Sequence, residues 1–129
     1  MTNEELKVLE PFLALKHYVV SINTNLNEGF GDGAPDSRIV FKFNSLMGAS
    51  LIHFNSSYRI NNPYEVASLH FHGEESFLDY SNQLTGHGVR SYLTADEALD
   101  LLVSMQLHSV RIFQDNSPDG YAQILLKEK

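Results

Sequence analysis

An antiparallel α+β domain is the fold this sequence predicts, on three observations. Between positions 18 and 72 several short stretches alternate apolar with polar residues, the period of half-buried strands. Two other stretches, at the N terminus and from about 94 to 107, space their apolar residues by three and four, and each opens on a Thr with a Glu three residues later. The two kinds of stretch do not alternate regularly, which disfavours a doubly wound parallel sheet. The expectation is a single domain over residues 1–129, long enough for one continuous core. It is a mainly antiparallel sheet of about six strands, with an N-terminal helix and a C-terminal-half helix (about 94–107) packed on one face.

In chain order, Thr2 and Glu5 form a capping box, and Leu6, Leu9 and Leu13 mark one face of the first helix. Pro11 lacks an N–H, so the spacing predicts a kink or a second short turn there and an end near Lys16. Tyr18–Leu26 alternates as a strand, and residues 27–37, with three glycines and Pro35, read as a loop. Ile39, Phe41 and Phe43 mark a second strand, Ala49–Asn55 a third and Glu65–His72 a fourth after the Asn61-Asn62-Pro63 turn. Residues 76–84 read as a short helix or irregular chain, and Thr85-Gly86-His87-Gly88 as a loop. Thr94 caps the strongest helix, with Ala98, Leu101, Leu102 and Met105 on one face. Val110–Phe113 and Tyr121–Leu126 are expected as a closing hairpin around residues 115–120.

Composition excludes more than it selects. The 9 basic and 16 acidic residues give a net charge of −7, and the basic ones are scattered singly, which disfavours direct nucleic-acid binding and a polybasic membrane surface. Apolar stretches such as Pro11–Leu15 and Ala98–Val103 fall far short of the ~20 residues that span a bilayer. With no cysteine there is no disulfide framework, thiol nucleophile or Cys-based metal site, and a cytoplasmic location is expected. The 10 asparagines and 13 serines make the surface hydrogen-bonding more than charged.

Three groups of residues carry candidate chemistry. His70 and His72 share a face of the fourth strand about 7 Å apart and can share a divalent metal with a third ligand from Glu74, Glu75 or His53. His87, between two glycines, stands just before Arg90 and Tyr92, a set suited to an anionic, nucleotide-like small molecule. Phe30, Asp32 and Asp36 lie on the glycine-rich acidic loop, where an apolar tip can anchor a protein partner. Glu28, Asp32 and Asp36 lack the ordered acid spacing of a calcium loop, and extended residues follow the glycines where a phosphate loop would open a helix.

No spacing matches a strong catalytic motif, so the sequence points first to a non-enzymatic binding protein that docks on a protein partner as an inhibitor, immunity protein or adaptor. The alternative is a homo-oligomeric binder of an anionic small molecule, and the third reading a metal-dependent enzyme at the His-x-His pair. A homodimer is expected, through the sheet face that the helices leave uncovered.

Overall fold

The computed structural model describes residues 1–28, 33–80, 85 and 88–115 of the chain. Its fold is α+β: two helices and a six-stranded antiparallel sheet. Helix α1 (Asn3–Leu9) opens with the expected capping box, in which the Glu5 backbone N–H donates to Thr2 Oγ1 and the Thr2 N–H donates to Glu5 Oε1. At Pro11 the chain tightens into a 3₁₀ stretch over Glu10–Tyr18, interrupted at Phe12 (φ −121°, ψ 23°), so both the kink and the second turn occur. The break turns Phe12 and Leu15 into the core beside Leu9.

Strands β1 (Val19–Asn23), β2 (Pro35–Lys42), β3 (Met47–Phe54) and β4 (Tyr64–His72) form a meander, each pairing antiparallel with the next. Ile39 lies opposite Leu51 and Phe41 opposite Ala49, while Leu51 in turn faces Val66, so one face of the sheet is apolar across three strands. Helix α2 (Ala95–Asp115) seals that face with Ala98, Leu101, Leu102 and Met105, joined by Leu9, Phe12 and Leu15. Among the described residues no helix covers the other face, which carries Arg38, Val40 and Lys42 on β2 and Glu65, Ala67 and Leu69 on β4.

The last two strands are not those the sequence predicts. Strands β5 (Glu75–Leu78) and β6 (Val89–Leu93) share the free edge of β4, β5 pairing with Leu69–His72 and β6 with Tyr64–Ala67. The change of partner falls at Ser68, whose N–H donates to Gly88 O and whose carbonyl accepts from Asp79 N–H, while its hydroxyl meets Thr85 at 2.7 Å. A two-residue turn, Gly73-Glu74, joins β4 to β5, with Gly73 at φ +64° in the first central position where such hairpins favour glycine. Residues 110–113, expected as a strand, are the last turns of α2. No Gly or Pro interrupts residues 95–115, and continuing a formed helix through Val110 and Ile112 costs only tenths of a kcal/mol each. Tyr121–Leu126 lies outside the described residues. No described helix is long and apolar enough to cross a membrane.

Candidate functional site

Three strand stripes that point toward the helices run beyond the apolar core and end in polar residues. On β2 the stripe continues from Phe41 and Ile39 to Ser37, on β3 from Ala49 and Leu51 to His53, and on β4 from Val66 to Tyr64. Together with α1 and the turn after β1, these ends enclose a cleft of about 550 Å³. Glu4 on α1 closes one side: its Oε2 accepts from Asn25 Nδ2 at 2.7 Å and Thr24 Oγ1 at 3.5 Å, tying the helix to the turn. Asn25 holds φ +58°, a left-handed conformation that asparagine tolerates better than most side chains, and the Leu26 N–H returns to Asp36 O.

A bulge sets the centre of the site. Pro35 pairs with Phe54 and Ser37 with His53, so Asp36 is an extra residue on β2 with no position of its own opposite β3. Strict alternation would send Asp36 and Ser37 to opposite faces, whereas the bulge lets both line the cleft. The Asp36 carboxylate meets His53 Nδ1 at 2.8 Å. With Nδ1–H donating to the Asp36 carboxylate, Nε2 of the neutral ring is left as an acceptor of fixed orientation.

Tyr64 is the third member. Its ring stands edge-on to His53 at 5.0 Å and edge-on to Phe12 at 5.2 Å, a ladder that anchors the imidazole to the core. Burial, and then the Asp36 charge, push the Tyr64 phenol above the ordinary tyrosine range, so at neutral pH it is a proton-bearing donor. Lys7, Asn27 and Asn55 complete the polar lining, and Val8 gives the floor an apolar strip. The site can therefore accept hydrogen bonds at His53 Nε2 and Asp36, donate one from Tyr64, and bridge hydroxyls with amides.

The residues singled out from the sequence are distributed over the fold. Asp36 reaches the cleft, but as the orienting partner of His53. Phe30, Asp32 and His87 lie outside the described residues. Arg90 and Tyr92 fall on β6; Tyr92 adopts φ +60° where the β4–β6 register shifts, and its ring carries the Arg59 guanidinium at 4.0 Å. Phe54 holds the other side of the same guanidinium, also at 4.0 Å. One guanidinium nitrogen, Arg59 Nη1, is buried there with no hydrogen-bond partner among the described residues, its charge facing two π-clouds.

His70 and His72 do sit side by side, ring centroids 5.8 Å apart, and both are exposed. Of the expected third ligands, Glu75 lies opposite His72 in the β4–β5 register, whereas His53 does not join them. His53 faces Tyr64 at the opposite end of β4, six residues or roughly 20 Å from His70. Among the described residues no three His, Asp or Glu side chains gather around a point that would hold a metal ion.

The pairing of Asp36 with His53 was open to sequence reading only as an anomaly: His53 is the one polar residue on the inward stripe of β3, after Met47, Ala49 and Leu51. Compared with family models, with curated protein sequences and with solved structures, the chain finds no match.

Proposed function

We propose that this protein binds a small, hydroxyl- or amine-rich molecule in the cleft between α1 and the ends of β2, β3 and β4. The observation that carries this reading is the convergence of the Asp36–His53 pair, the protonated Tyr64 phenol and three asparagines on a cleft of about 550 Å³. That volume lies within the roughly 300–1,000 Å³ range of small-molecule sites. Glu4 and Asp36 outweigh Lys7, so the lining favours a neutral or cationic ligand over the anionic, nucleotide-like one suggested by His87, Arg90 and Tyr92. A cytoplasmic location belongs to the same proposal, in keeping with a cysteine-free acidic chain.

Amide resonances of ¹⁵N-labelled protein, followed against polyols, amino sugars, diamines and sugar phosphates, test it. Expected are saturable shifts centred on Asp36, His53, Asn55 and Tyr64 with a hydroxylated or cationic compound, abolished by His53→Ala. Shifts confined to phosphates, or centred elsewhere, would reject the assignment.

A second reading, docking on a protein partner as an inhibitor, immunity protein or adaptor, rests on a separate observation. Tyr58 is 92% exposed and Ile60 76% exposed, and they flank Arg59, whose guanidinium is already immobilised between Phe54 and Tyr92. Tyrosine and arginine are residue types that dominate interface energetics, and Arg59 is held in place before contact. A photo-crosslinking side chain at position 58 should capture one defined partner that the same group at position 20, on β1, does not; equal capture from both positions rejects this surface.

A further inference from the structure

The face of the sheet opposite the helices holds a groove of about 380 Å³. Its floor is mostly apolar, with the partly exposed Ile52 beside the buried Ser50, Ala67 and Leu69, and its rim carries Leu78 and Val89, 41% and 37% exposed. Beside it on the same face, Val40, Leu69 and Phe71, each less than one-tenth exposed, make a second hydrophobic cluster, separate from the main core. An apolar strip of this kind is half of a sheet-on-sheet core.

The charges on this face are arranged with a symmetry of their own. Arg38 on β2 pairs in register with Ile52 on β3, and Ile52 with Glu65 on β4, so cation, isoleucine and anion lie in one row across three strands. One strand spacing of about 4.8 Å separates each from the next, which keeps Arg38 and Glu65 apart within a chain. Among the described residues neither is in an ion pair; Arg38 Nε donates to Ser50 Oγ at 2.9 Å, and Glu65 accepts from Ser91 Oγ at 2.5 Å. A rotation of 180° about an axis parallel to β3, lying just above the sheet, brings β2 of one copy over β4 of the other and keeps each row in place. Each Arg38 then faces Glu65 of the partner subunit, twice by symmetry, while the two Ile52 side chains meet on the axis.

We infer that two copies of this chain pack open face to open face about such a two-fold axis, joined by reciprocal Arg38–Glu65 pairs around an apolar centre. A second copy is the occupant that the pattern selects, because under this operation the face is its own complement. A partner of uniform charge would leave either Arg38 or Glu65 opposed.

Analytical ultracentrifugation of the full chain tests the pairing by charge exchange. The wild type should sediment as a dimer of the 14.6 kDa chain. Arg38→Glu and Glu65→Arg each turn two attractions into two repulsions and should weaken self-association by about a hundredfold or more. An equimolar mixture of the two variants should recover a heterodimer, and the Arg38→Glu/Glu65→Arg double variant should recover the homodimer. Leu78→Lys on the exposed rim supplies an independent monomeric form should either charge variant fail to fold by circular dichroism. A wild type monomeric at 100 µM, a dimer indifferent to all three changes, or folded variants whose mixture stays monomeric would each overturn the inference.

Discussion

Replacing Gly48 with alanine examines how tightly the two faces of the sheet are coupled. A methyl group at this position would lie 2.1 Å from the Phe41 carbonyl oxygen and 2.4 Å from Phe71 Cε2, with Lys42 Cα at 3.2 Å. Neither close neighbour yields cheaply. The Phe41 carbonyl belongs to the β2–β3 ladder, where Phe41 faces Ala49, so its retreat loosens backbone pairing. The Phe71 ring is buried with Val40 and Leu69, and Lys42 Nζ sits 5.0 Å from its centroid. Displacing a packed ring costs about 1–3 kcal/mol, and straining one ladder hydrogen bond adds about 1 kcal/mol. The expected loss is therefore roughly 3 kcal/mol, or about 11 °C in Tm at ~2.1 cal/mol/K per residue. Urea unfolding followed by circular dichroism, repeated by thermal scan, measures it. Phe71→Leu in the same chain removes one of the two collisions, so the double variant should be less destabilised than the sum of the singles. A Gly48→Ala variant within about 0.5 kcal/mol of wild type, or strictly additive with Phe71→Leu, would refute this account of why glycine stands there.

Other outcomes follow from the cleft and the caps. Two-dimensional ¹H–¹⁵N spectra of the imidazoles should show His53 as the Nδ1–H tautomer near neutral pH, and Asp36→Ala should shift it toward Nε2–H; an unchanged tautomer would sever the pair. Because the folded-state pKa of Tyr64 is raised, folding stability is unaffected below the ordinary tyrosine range and declines as pH climbs through it; Tyr64→Phe should flatten that alkaline decline. Thr94→Ala should cost about 1 kcal/mol, as loss of an N-cap does, since α2 carries four core side chains. Hydrogen bonds from Thr94 hold the Glu97 carboxyl below the usual carboxylate range, so its contribution is present above the unfolded value and disappears as pH falls through the folded one. The gap between wild type and Thr94→Ala should accordingly narrow in acid, and a gap independent of pH would count against the capping box.

The cleft and the groove lie on opposite sides of one sheet. The side facing the helices spends its alternation on the core until the ends of the stripes, where the buried Ser37 and the partly buried His53 and Tyr64 line the cleft. On the opposite side the same strands present Arg38, Ile52 and Glu65. A ligand in the cleft and a second copy on the open face would thus bind without competing for residues.

What the sequence determined by itself is whatever a few neighbouring residues decide. Thr2 with Glu5 and Thr94 with Glu97 start helices because cap and carboxyl lie within one turn of each other. Strands β1 to β4 were legible from the alternation of the residues that face the helices, although the centres of β2, β3 and β4 are buried on both sides. Strands β5 and β6 escaped because both are almost wholly exposed, so no face demanded a pattern, and only the edge of β4 makes them strands. The extension of α2 past Leu107 was likewise a tertiary outcome, a growing helix overriding the local β-preference of Val110 and Ile112. The meeting of Asp36 with His53 across 17 residues depends on a register and a bulge that the whole core selects. Register decided, too, that His53 lies at the far end of β4 from His70 and His72, and that Arg38 and Glu65 share a row. A pleat of period two tells which residues share a face, but only packing the entire sheet against the helices says how far each strand slides along its neighbour.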